Sequence, residues 1–404
     1  MVFVTVPPPS TALASAPTWR REPYRLLFPL GVLLAWWGVG HWLLVGLFGI
    51  GSWSGVFHSI AQIQGFLMAF ACGFLYTAVP RRTQTWPPAP WEMAVALAAP
   101  PATTACAALG ALALAQACWG VLMLTLLAFC LRRFLARNAG RRPPDCFLWV
   151  PLSFVLALAG AGAIGAQRGL GPEWFWLHDL GQKWILQGLF VGLIVGLGGM
   201  VLPLLTRGEA PPDASSGVGS RLRRTGHFAS WLGLAGSFVL ETRGAPAIGY
   251  AVRAGLTLAL LLGVARLHRP PCLPGLHRRL IWASAWCLPL GYAFAALDPG
   301  RAQAGLHVVF IGGFAALALG VGLHVTLAHG GYQGLVRKSP WQVGALGALL
   351  ASATAARAAL VFRPDALRPL LVAAAASFLL ATLAWFHLLL PRTWRPAPPD
   401  EANP

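Results

Sequence analysis

Apolar runs long enough to cross a bilayer recur along the whole chain, separated by short polar connections. The pattern predicts twelve spans, roughly 24–50, 56–80, 91–109, 111–131, 146–167, 184–206, 228–242, 245–266, 279–297, 303–328, 340–362 and 370–390. Punctuation inside these runs repeats. Gln64, Gly65, Gly73 and Pro80 are matched 123 residues later by Gln187, Gly188, Gly196 and Pro203, and Gly312 and Gly320 continue the series after another 124. Spans 2, 6 and 10 are then equivalent, and the chain divides into three blocks of four spans. Four spans return the chain to its starting side, so the blocks are parallel repeats about an axis normal to the membrane. The predicted fold is all-α: a polytopic membrane protein with twelve transmembrane helices in three parallel four-helix repeats, roughly 24–133, 146–266 and 279–390. Residues 24–390 form one transmembrane domain, flanked by tails at 1–23 and 391–404.

Composition agrees with the pattern. Of 404 residues, 57% are hydrophobic and 10% charged, where about a quarter charged is usual for a soluble domain. The formal charge of +18 raises nucleic acid as a partner, and the position of the charges excludes it. Alternate connections hold Arg81 and Arg82, five Arg between 132 and 142, four between 207 and 224, four between 266 and 279, then Arg337 and Lys338. The others hold only Arg168, Lys183, Arg243, Arg301, Arg363 and Arg368, mixed with acids. By the positive-inside rule both termini are cytoplasmic, which requires an even number of spans. The first 20 residues lack the charged start and apolar stretch of a cleavable signal, so the first span is expected to target and anchor the chain, in a bacterial inner membrane. The seven Cys show no Cys-x-x-Cys spacing and read as packing residues.

Polar groups inside a bilayer are costly and ask for a reason. On this topology His41, His58, His178 and His307 all lie on or near the outer side. His58 and His307 sit about one turn inside spans 2 and 10, at similar depth. Two neutral imidazoles there suit the axial positions of a haem iron, or join others around copper; the simpler alternative is a hydrogen bond to a carbonyl or headgroup. Gln62, four residues after His58, shares its helix face and is a candidate to orient it. Lys183 stands five residues before Gly188, as His307 stands before Gly312, so one block replaces an imidazole with a cation. His324 and His329 lie about 26 Å and 33 Å of helix rise beyond His307 and belong to the other end, as a second site or as a helix cap. Glu173–Trp184 mixes aromatics and charges and reads as an interfacial segment. Pro100 and Pro101 mark a possible break in span 3. Arg253 falls near mid-membrane and needs a partner: a carbonyl cluster, Glu241 or a porphyrin propionate. Arg357 is near enough to the outer surface to snorkel. There is no phosphate-binding loop, nucleophile elbow or His-Glu-x-x-His.

LHVVFIGGFAALALGVGLHVTLAHGG (306–331) resembles the tenth-span signature of NnrS-like membrane proteins, FLYTAVP (74–80) their second-span ending and GGMVLPLLTR (198–207) their sixth span, with a weaker match at WCLPLGYAF (286–294). The likeness touches all three blocks. It implies a twelve-span protein binding haem and copper and associated with the bacterial response to nitric oxide and denitrification, with His58, His307 and His329 matching family histidines. The layout is also similar, far more distantly, to the catalytic subunit of haem-copper oxidases. Where the family carries His-Ala-His-Glu-Met, this chain has His58, Ser59, Ile60, Ala61 and Gln62; Met200 and His324 stand where the family tends to carry Arg. The missing His and Glu weigh against copper more than against haem. Span interiors nearly free of acids argue for binding, sensing or metal handling over turnover. The competing readings are a secondary transporter, suggested by the repeats, Pro100–Pro101 and Arg253, and a cofactor-free membrane assembly factor.

Overall fold

A computed structural model describes residue 13 and residues 15–136, 142–167, 169–395 and 397. The expected tails at 1–23 and 391–404 fall partly outside the described residues, as do Arg137, Arg141 and Arg168 of the charge pattern. The described residues form helices and turns, without a strand. Nine helices among them are long and apolar enough to cross a membrane: α1 (Tyr24–Phe48), α2 (Gly55–Thr83), α4 (Leu112–Leu135), α5 (Asp145–Gln167), α6 (Pro172–Arg207), α8 (Pro246–Gly263), α9 (Leu276–Leu297), α10 (Pro299–His329) and α12 (Pro364–Thr393). Helices α3 (Pro90–Ala108), α7 (Val218–Thr242) and α11 (Trp341–Ala359) stand where the third, seventh and eleventh spans were expected, and the apolarity that marks the nine is weaker in these three.

Local chemistry sets the helix ends. Pro90 and Pro246 open α3 and α8, where a missing N–H costs nothing. At α3 the Glu92 carboxylate accepts a 2.7 Å hydrogen bond from the Ala89 amide, then turns to Arg132 and Arg133 of α4 at 2.5 and 3.0 Å. Gly208 ends α6 with φ +74°, a left-handed cap that suits glycine. Pro100 and Pro101 lie within an unbroken α3; Thr104 Oγ1 donates to the Pro100 carbonyl at 2.9 Å. Helix α7 starts at Val218, not near 228, so Arg221, Arg223 and Arg224 ride on a polar first stretch that hydropathy could not recognise as helix. The expected interfacial segment Glu173–Trp184 is instead the opening of α6, continuous with the helix that follows.

Each long helix packs on its chain neighbour, and α12 packs on α1, closing the set into a ring. Inside it lie α2, α6 and α10. Burial distinguishes them: 83%, 83% and 61% of their apolar stretches are buried, against 28–50% for the other six. The outer helices leave large apolar side chains such as Leu109, Leu114 and Leu297 exposed, the surface expected of a protein with lipid for solvent. Close backbone contact ties inner to outer helices. A Cβ on Gly160 would meet the Gly181 carbonyl oxygen at 2.7 Å, and one on Gly291 would meet that of Gly305 at 2.5 Å. Each inner helix also widens into a π segment at the same place: Ile60–Leu67, Trp184–Gly188 and Val308–Ala315.

Candidate functional site

His58 lies in the first turn of α2, which Ser54 caps by accepting from the Phe57 amide at 3.2 Å. Its Nδ1 is 2.8 Å from the Gly38 carbonyl of α1. A carbonyl only accepts, so Nδ1 carries the proton and Nε2 keeps its lone pair. The glycine makes the approach possible: a Cβ at 38 would come within 2.5 Å of Gln62 Nε2 and 2.6 Å of Ala61 Cβ. His307 is arranged alike. Its Nδ1 donates to the Gln303 carbonyl one turn earlier, at 2.7 Å, again leaving Nε2 free. A π segment starts immediately after each histidine turn, at Ile60 and at Val308. Such segments re-aim side chains relative to a regular helix and are frequent at functional sites.

Both imidazoles line one cavity of about 270 Å³ reached by α1, α2, α6, α10, α11 and α12. Aromatic rings of Trp42, Phe66, Phe310 and Phe378 supply much of its wall. Its polar groups are Ser59, Gln62, Gln303 and the two histidines, together with Arg357 from α11. Among the described residues, no carboxylate lines it. Arg357 was expected to snorkel outward; the structure turns it into this cavity. Gln62 lines the cavity without orienting His58, because its Nε2 donates to the Ala35 carbonyl at 3.0 Å while Gly38 holds the imidazole. A second, wholly apolar cavity of about 90 Å³ lies between α1, α2, α6 and α10 and shares Leu67 with the first.

The other expected ligands are elsewhere. The His41 ring lies 6.3 Å from that of His58 and is not part of the cavity wall. His178 Nε2 pairs with Gln182 at 2.9 Å near the start of α6. His324 Nδ1 is 3.0 Å from Nε2 of His277, a partner the sequence reading did not single out, and the His329 ring sits 5.8 Å from that of Tyr24. No cluster of three or more His, Cys, Asp or Glu suited to a metal ion occurs among the described residues. Of the alternatives for Arg253, the structure forms the pair with Glu241. Its guanidinium also donates to Gln187 Oε1 at 3.0 Å and to the Gly249 carbonyl at 3.2 Å, and lies over the rings of Phe238 and Tyr250 at 4.3 Å each. Arg253 lines neither cavity.

The arrangement offers two fixed imidazole acceptors and one cation to a single occupant. A family model described as NnrS protein matches residues 18–397. No curated protein matches the sequence.

Proposed function

Because the chain belongs to the NnrS family, we propose that it is a bacterial inner-membrane haem protein of nitric-oxide and nitrosative-stress physiology, with His58 and His307 as the residues that would hold the haem iron. One observation carries the reading: two histidines from different helices line one cavity, each with Nδ1 held by a backbone carbonyl and Nε2 left free. That is the usual preparation of a metal-ligating imidazole, where the second nitrogen fixes tautomer and ring angle. The donor set favours haem over copper, since a porphyrin supplies the equatorial ligands and asks only two of the protein, whereas no three-residue metal cluster is formed by the described residues. Aromatic walls suit a flat macrocycle.

When bound, haem supplies a redox-active iron with affinity for diatomic ligands. The chain's own part is to hold two neutral imidazoles, exclude water with apolar walls and deny the site an acid: with no carboxylic side chain on the wall, protons have no obvious relay, which fits binding or sensing better than turnover. In this reading the twelve helices all span, in three blocks around α2, α6 and α10, with both termini cytoplasmic. Two of the features that suggested a transporter have structural explanations, since α3 runs unbroken through Pro100 and Pro101 and Arg253 pairs with Glu241. Absorbance of the detergent-purified protein tests the proposal. A Soret band that shifts on adding nitric oxide is expected; a colourless protein, after expression with haem precursor, would overturn it.

A further inference from the structure

Arg357 has no hydrogen bond, ion pair or ring contact with any described residue, yet it lines the cavity that holds His58 and His307. Its guanidinium cannot shed its charge, and an unpaired cation among apolar walls is costly. Of the acids at this end of the helices, Asp298 pairs with Arg301 at 2.9 Å, Asp365 with Arg363 at 2.8 Å, Asp179 with Lys183 at 2.5 Å and Glu241 with Arg253, while Glu173, in the opening turn of α6, forms no ion pair with Arg357. Helix α11 carries no Asp or Glu of its own. The missing counter-charge is therefore not provided by the described residues.

We propose that Arg357 is the carboxylate receptor of this cavity, pairing with a propionate of the porphyrin that the two histidines hold. The inference rests on the haem reading and adds to it the group that recognises the macrocycle's acidic edge. The chemistry matches on both sides. A guanidinium takes a carboxylate in fork geometry with two parallel hydrogen bonds, and Arg357 shares one cavity wall with the two imidazoles that would hold the porphyrin. The cation is then neutralised only when the ligand is in place, so the pocket rejects porphyrins lacking a free acid.

The test is a titration of protein purified from haem-depleted cells with haem and with haem dimethyl ester, whose propionates are blocked. Wild type is expected to bind the free acid roughly 10- to 100-fold more tightly than the ester. Arg357→Gln should bind both at the ester's affinity, and Arg357→Lys should recover part of the preference. Equal binding of acid and ester by wild type would overturn this inference while leaving the haem reading intact. Equal binding accompanied by protection of Arg357 from phenylglyoxal by nitrite alone would assign the cation to a free oxyanion, and equally overturn it. Failure of wild type to bind either porphyrin would remove the haem reading and this inference with it. Arg357→Gln loses no partner within the chain and is expected to fold, which its melting temperature checks.

Discussion

The buried Arg253 and the half-buried Arg357 sit in opposite situations. Between α6, α7 and α8, Arg253 meets Glu241 and Gln187, and Lys183, the counterpart of His307 by its spacing from the repeated glycine, lies 3.4 Å from the same Glu241. In the cavity between α2, α10 and α11, Arg357 has no counter-charge and two imidazoles present free nitrogens. The same π widening occurs at both places. One cluster is closed by the chain's own acid; the other has no such acid among the described residues, and the proposed ligand would supply it. The two regions thus share a π-widened inner helix and differ in whether a carboxylate of the chain meets the cation.

The largest expected effect is on the closed cluster. Arg253→Leu leaves Glu241 with Lys183 at 3.4 Å and the Tyr250 hydroxyl at 2.7 Å as its remaining partners and should cost about 3–5 kcal/mol, read as a lower melting temperature in detergent, while haem per folded chain stays unchanged. Loss of haem without loss of stability would mean that Arg253, not Arg357, serves the cofactor. The helix contacts common to both regions come next. Gly160→Ala and Gly291→Ala each force a Cβ against a facing carbonyl and should destabilise by about 1–3 kcal/mol; a large cost at one and none at the other would break the equivalence of the blocks. Smallest is Arg357→Gln, which breaks no contact within the chain and should change stability in the cofactor-free protein by less than about 0.5 kcal/mol. A loss comparable to that of Arg253→Leu would reveal a partner and erase the contrast.

How far the sequence made this visible differs from residue to residue. Apolar runs placed the helices because each must bury its backbone polar groups in a bilayer, and Arg253 announced itself by its depth. His58 and His307 were legible from their matching depth and from the family signature. Three things were not. The π segments follow from tertiary packing and leave no mark in hydropathy. The partner of His58 is the backbone of Gly38, and any residue offers a carbonyl, so Gln62 was the visible candidate instead. Arg357 lies near a helix end, where sequence alone suggests an outward-reaching side chain; only the packing of α11 against α10 and α12 turns it inward. The weak apolarity of α7 and α11 has a similar origin, since charges such as Arg357 and Arg221, Arg223 and Arg224 count against a span whether they face lipid, solvent or a cavity.

The most direct test of the central claim is haem per chain, by pyridine haemochrome, in purified wild type, His58→Ala and His307→Ala with melting temperature measured alongside. The account predicts close to one haem per chain in wild type and its loss in both variants at nearly unchanged stability. Variants that keep a full complement of haem would contradict it.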